Sequence, residues 1–207
     1  MEKIRHNSKL LLILIAASLL SNCSSTDNAG IQTTVFNGST QSIRNYTTPQ
    51  LLAIISAMGL QINPGNSPPM VNGDYLASRL RLYASNIPND EINSIFADTS
   101  FKLENQNRQK LTLDLSYMTA NGSEFSRRNK AVISGNGNRF SIFAKQTITE
   151  DFGTAESIIV VSGELTETGI TDFQFALFIL DNHGVSDFIA NNHGRLFYDA
   201  DNLAENQ

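Results

Sequence analysis

The sequence predicts a mainly β fold: an antiparallel up-and-down eight-stranded barrel preceded by one short amphipathic helix. Three observations predict it. Between residues 73 and 199 apolar side chains recur with a period of two, as Leu111, Leu113, Leu115 and Tyr117 do against Thr112, Asp114 and Ser116. Turn-forming pairs, Asn121-Gly122 and Asn136-Gly137, fall between such runs and suit type I′ hairpins. No long helical pattern separates the runs, which argues against parallel crossover units. A sequential meander of this number closes on itself and so removes its exposed edges.

The chain begins with Lys3, Arg5 and Lys9, followed by the apolar run Leu10 to Leu20. As a helix this run reaches about 16 Å, about half of the hydrocarbon thickness of a bilayer, which is the length of a signal-peptide core rather than a membrane span. It ends in Leu20-Ser21-Asn22-Cys23, and Ser24, Ser25, Thr26, Asp27 and Asn28 then turn polar. This segment resembles the bacterial lipoprotein signal. Leu20 and Ser21 match the pattern, and Asn22 stands where Gly, Ala or Ser is usual. The resemblance covers residues 1–24 and implies that 1–22 are a signal peptide and that Cys23, the sole cysteine of the chain, becomes an acylated N-terminus. More than one acyl chain holds a protein firmly to a bilayer. Ser24 in place of Asp implies, by the same resemblance, sorting to the outer membrane of the cell envelope; the periplasmic and surface faces both stay open.

Residues 23–47 are rich in Ser, Thr, Asn, Gln and Gly, the composition of a flexible tether, with Val35, Phe36 and Ile43 able to dock locally. The folded domain is expected over 48–207. Thr48-Pro49 opens its helix as N-cap and first helical residue. Leu51, Leu52, Ile54, Ile55 and Met58 form the oily stripe, and Gly59 stops it. Strands are expected at about 73–84, 97–106, 109–120, 129–135, 138–149, 156–166, 169–181 and 194–199. The run Phe173 to Leu180 is apolar on both faces, so its outer face needs a cover. The helix is the oily partner available for it, with a subunit contact as the competing cover.

Pro68-Pro69-Met70-Val71-Asn72-Gly73-Asp74-Tyr75, with Val132-Ile133-Ser134-Gly135 and Val160-Val161-Ser162-Gly163-Glu164, resembles an uncharacterised family of bacterial lipoproteins that carry a helix, a Pro-Pro turn and a lipocalin-like sheet. The resemblance covers roughly residues 50–199. A wider similarity to lipocalins (the calycin type) rests on Gly73-x-Tyr75, where those proteins have Gly-x-Trp, and on Arg195 near the last strand. It implies a barrel-floor pair in which Arg195 lies across Tyr75 as a cation–π contact. Strict alternation would put Tyr75 and Leu80 on opposite faces, so a bulge near Ala77-Ser78 is expected to bring both inside.

Chemistry is sparse. The chain carries 15 Lys and Arg against 20 Asp and Glu. Removal of residues 1–22 takes Lys3, Arg5, Lys9 and Glu2, lowering these to 12 and 19, a net charge of -7. Such a body argues against a nucleic-acid partner. No P-loop, zinc-protease helix, nucleophile elbow or complete calcium loop is present, so no catalytic residue, cofactor or metal is expected. His183 and His193, near Asp181, Asp187, Asp199 and Asp201, are the residues a metal would need, but as turn residues they read as solvated. Asp90, Glu91 and Asp98, and Glu150 with Asp151, read as rim carboxylates. Arg127, Arg128 and Lys130 read as a solubilising edge, and Phe125, Phe140 and Phe143 as core.

Taken together, these features lead to the expectation of a non-catalytic envelope lipoprotein. Its partners would be the bilayer, through acylated Cys23, and either a small apolar molecule, lipid or glycan in the barrel, or an envelope protein if the barrel is filled by its own side chains. An open cavity of several hundred Å³ favours the first and a packed interior the second.

Overall fold

The computed structural model describes residues 35–122 and 125–207; the expected signal peptide, 1–22, and Cys23 lie outside the described residues. Two helices come first, where one was expected: α1 (Thr40–Thr47) and α2 (Pro49–Ala57). α1 falls within the segment expected as tether. Its polar composition conceals two anchors: Ile43 is buried, and Tyr46 meets Phe36 edge to face at 6.0 Å. α2 forms as expected. The Thr48 hydroxyl accepts the Leu51 N–H at 3.2 Å, Pro49 occupies the first turn, and Gly59 beyond the C-cap adopts φ 98°.

The strands are β1 (Asn66–Ser67), β2 (Gly73–Ala77), β3 (Arg81–Ser85), β4 (Thr99–Asn107), β5 (Thr112–Thr119), β6 (Phe125–Asn136), β7 (Arg139–Glu150), β8 (Gly153–Leu165), β9 (Gly169–Asp181), β10 (Gly194–Tyr198) and β11 (Leu203–Asn206). From β4 to β9 each strand pairs antiparallel with the next, and β2 pairs with β4. β11 pairs with both β9 and β2, which closes a ring of eight strands. β10 continues along β9 and carries β3 as a leaf beside the ring. β1 is the exception to the antiparallel rule, lying parallel to β6. The β6–β7 hairpin uses the two-residue loop Gly137-Asn138. Only Gly137 has positive φ, 62°, so the turn follows the II′ pattern instead of I′.

The first and last strands are both broken, and the breaks meet. The expected strand 73–84 divides at Ser78–Leu80, with Arg79 at φ 48°. The break buries Tyr75 and Leu80 together, at 2% exposure each, as the expected bulge required. Facing it is the turn between β10 and β11. There Asp199, fully buried, accepts the Ser78 N–H at 2.7 Å and the Asp201 N–H at 3.1 Å. Burial, followed by its hydrogen bond with Asp201, pushes the Asp199 carboxyl up to about 7, while that same hydrogen bond holds Asp201 low.

Inside the ring, Phe101, Tyr117, Phe173, Phe175 and Phe197 form a chain of ring contacts with centroids 5.1 to 6.2 Å apart. Leu103, Leu113, Leu115, Phe140 and Ile142 complete this packed portion. On the outside, Leu51 and Ile55 of α2 join Ile43, Phe143, Ile158, Val160, Ala176 and Phe178 in a second core. The helix therefore covers the outer face of β9, as its two-sided apolar run demanded, and reaches across to β6. Ser134 and Ser162 of the Ser-Gly motifs, together with Ser141, hold the chain leaving α2. Asn63 donates its N–H to Ser141 Oγ at 2.9 Å and its Nδ2 to Ser162 Oγ at 3.0 Å, and Ser134 Oγ donates to the Asn63 carbonyl at 2.8 Å. Among the described residues no helix is long and apolar enough to cross a membrane.

Candidate functional site

The ring is filled at one level and open at another. A cavity of about 720 Å³ lies where β6 begins, β7 and β9 end, and residues 187–189 fold over. Its apolar wall includes Phe125, Ile148, Phe152, Ile179, Phe188 and Ile189. Phe152, in the turn between β7 and β8, and Phe188 meet at 4.8 Å. Tyr117 and Leu177 line it toward the aromatic interior. Its polar lining is uncharged in the middle, with Ser126, Asn129 and Gln146. Charge is carried by Arg127, Glu150 and Asp187. Arg127 sits over the Phe125 ring at 5.4 Å. Asn129 Nδ2 donates to Gln146 Oε1 at 3.1 Å and also to Ser126 Oγ. A volume of this size matches a small-molecule pocket, and its mix of aromatic wall and few polar groups is the usual composition of one.

A second hollow, of about 520 Å³, runs along β2, β4 and β5 and is lined by Ser100, Lys102, Met118, Phe125 and Gln207 among others. A third, of about 120 Å³, lies by Phe96, Leu177 and Arg195.

Tyr75 and Arg195, expected as a pair, are not brought together. Tyr75 lies opposite Phe101 and Asn206, and its hydroxyl donates to the Val71 carbonyl at 3.0 Å. Burial raises its phenol above the ordinary range. Arg195 lies opposite Ser85, at the far end of the broken first strand, and its aromatic neighbour is Phe96, at 5.8 Å. The physical reason for the correction is the break itself, which leaves Tyr75 in the ring and puts Arg195 on the leaf. Arg195 instead holds Asp90 through two hydrogen bonds, and these keep the Asp90 carboxyl below the usual range.

The remaining candidates disperse. His183 Nδ1 lies 3.4 Å from Asp181, and His193 Nδ1 lies 3.2 Å from the Asn191 carbonyl. Among the described residues no group of three or more His, Cys, Asp or Glu is placed to hold a metal ion. Asp98 accepts the Arg79 N–H at 2.7 Å. Lys130 and Arg128 converge on Asp114, whose carboxyl is lowered chiefly by the Lys130 hydrogen bond. Phe140 and Phe143 are core, whereas Phe125, expected with them, is 61% exposed at the edge of the cavity. Gln146, Ile148 and Phe188 were not singled out from the sequence. The available signal was Gln146, a polar residue that continues the inward period of Phe140, Ile142 and Ala144.

The chain matches no family model, no curated protein and no solved structure.

Proposed function

We propose that the chain is a non-catalytic envelope lipoprotein, anchored in the outer membrane by acylated Cys23, whose lipocalin-like barrel takes up a small apolar molecule, lipid or glycan. The observation that carries the binding reading is the cavity of about 720 Å³ with its phenylalanine and isoleucine wall. The lipoprotein reading rests on residues 1–24, where a basic start, an apolar run of sub-membrane length and Cys23 follow in order. An acidic body does not seek anionic headgroups by charge, so the acyl chains are what would hold it at the bilayer.

The test has two arms. Labelled fatty acid is incorporated into the full chain and not into Cys23→Ser, which leaves the membrane fraction; a Cys23→Ser form that stays membrane-bound overturns the anchor. Solvent extraction of protein purified from its native source, followed by mass spectrometry, yields a stoichiometric small molecule. Narrowing the cavity by Ile148→Trp removes it. The competing reading, an interaction component of an envelope assembly, is supported by the filled aromatic interior, and a ligand-free extract with a co-purifying envelope protein favours it.

A further inference from the structure

We infer that the cavity reads an uncharged polar group of its occupant, a hydroxyl or an ester or amide carbonyl, through a belt of neutral side chains crossing β6, β7 and β8. The inference deepens the binding reading above and rests on it. The belt follows from the strand register. Gln146 lies opposite Ser157, and the Asn129 amide joins Gln146 from the other side at 3.1 Å. One step further into the ring the same inward rows hold Ala131, Ala144 and Ile159; one step outward they hold Ile148 and Ala155. Polar side chains at one level, with apolar ones above and below, are not what a merely filled ring needs, because an inward polar group costs stability unless it is paired.

Two features point to an occupant. The Gln146 Oε1 is taken by Asn129, which leaves its Nε2 hydrogens as donors at the cavity wall. Opposite it on β8, behind the cavity lining and not part of it, Ser157 Oγ is fully buried and has no hydrogen-bond partner among the described residues. The belt contains no charge. Arg127 and Asp187 belong to the cavity lining but not to these rows, and Glu150 stands at the outer end of the β7 row, one step beyond Ile148. A charged headgroup at this depth would lose its hydration without an opposite partner, whereas a hydroxyl or carbonyl finds donors. The occupant's hydrocarbon then lies against Phe125, Phe152 and Phe188.

The test uses the full chain in detergent and displacement of N-phenyl-1-naphthylamine, a neutral dye. The probes are 1-dodecanol, methyl dodecanoate, dodecane, dodecanoate and dodecylamine. The expected result is that the alcohol and ester compete about tenfold or more better than the alkane and the two ions, because a site built to hydrogen-bond discriminates against ligands lacking the group. Gln146→Met abolishes that preference, and Ser157→Ala, a smaller change, weakens it without unfolding the protein. Equal competition by dodecane or by either ion, or an undiminished preference in both variants, overturns the belt while the cavity stands. Failure of the dye and every probe to bind overturns the cavity reading, and the belt with it.

Discussion

The Arg195 guanidinium grips Asp90 at two points, Nε to Oδ2 at 2.7 Å and Nη2 to Oδ1 at 2.8 Å, tying the loop after β3 to the start of β10. Ser85 adds a third bond to the same carboxylate at 2.6 Å. Asp90→Ala should destabilise the protein by about 1.5–3 kcal/mol, the range for hydrogen bonds to charged groups. The folded-state value of Asp90 lies below its free value of 3.8, so this stability is present above that pH and is lost as pH falls through the depressed value. Urea melts of wild type and variant should therefore differ at pH 7 and converge in strong acid.

Asp199 behaves in the opposite sense. Its carboxyl is raised from 3.8 to about 7, so between those limits the folded state holds a proton that the unfolded chain has released. Stability at the seam is then greatest near pH 4 and declines as pH rises to about 7, by an amount on the order of a few kcal/mol. Asp199→Asn should flatten that decline in thermal melts between pH 5 and 8. A variant that keeps the wild-type slope would assign it to another group.

The serines under the strap at Asn63 make a local prediction. Ser162→Ala and Ser141→Ala should each cost about 1 kcal/mol. Hydrogen exchange should accelerate at residues 59–65 while the ring strands keep their protection. Uniform acceleration across β6 to β9 would mean the strap is integral to the ring.

Leu51 of α2 is wholly buried against the outer face of the sheet. Leu51→Ala should cost about 2–5 kcal/mol and expose the outer side of β9, read as a gain in dye binding and as aggregation. If stability is unchanged, the helix is not the cover of that strand.

Much of the architecture was legible because two periods are hard to mistake. Leu111 to Tyr117 show the half-wet strand, and Thr48-Pro49 with Leu51 and Ile55 show the helix and its oily face. α1 was not legible, since its one buried aliphatic, Ile43, sits in a polar sequence and its packing comes from residues far along the chain. The strand β11 was hidden for the same reason: Leu203-Ala204-Glu205-Asn206 has little pattern of its own and is a strand through its partners Ile170, Gly169, Leu76 and Tyr75. The Tyr75–Arg195 pair failed because the irregularity that alternation signalled near Ala77-Ser78 is a full break of three residues, which moved the two to different parts of the sheet. The cavity wall was partly legible, in that Gln146 and Ile148 fall within an expected strand. What brings Phe188 to them is a loop whose path no local pattern encodes.

Because β2 is flanked by β4 on one side and by β11 on the other, the earliest ring strand waits for the latest one. The circle can be completed only once residues 203–206 are in place, so the final step joins segments about as distant in sequence as the domain permits. Folding of this kind is slow for its size. Until it ends, β2 offers a bare edge to any neighbouring chain. Removing residues 203–207 would make that interim condition permanent.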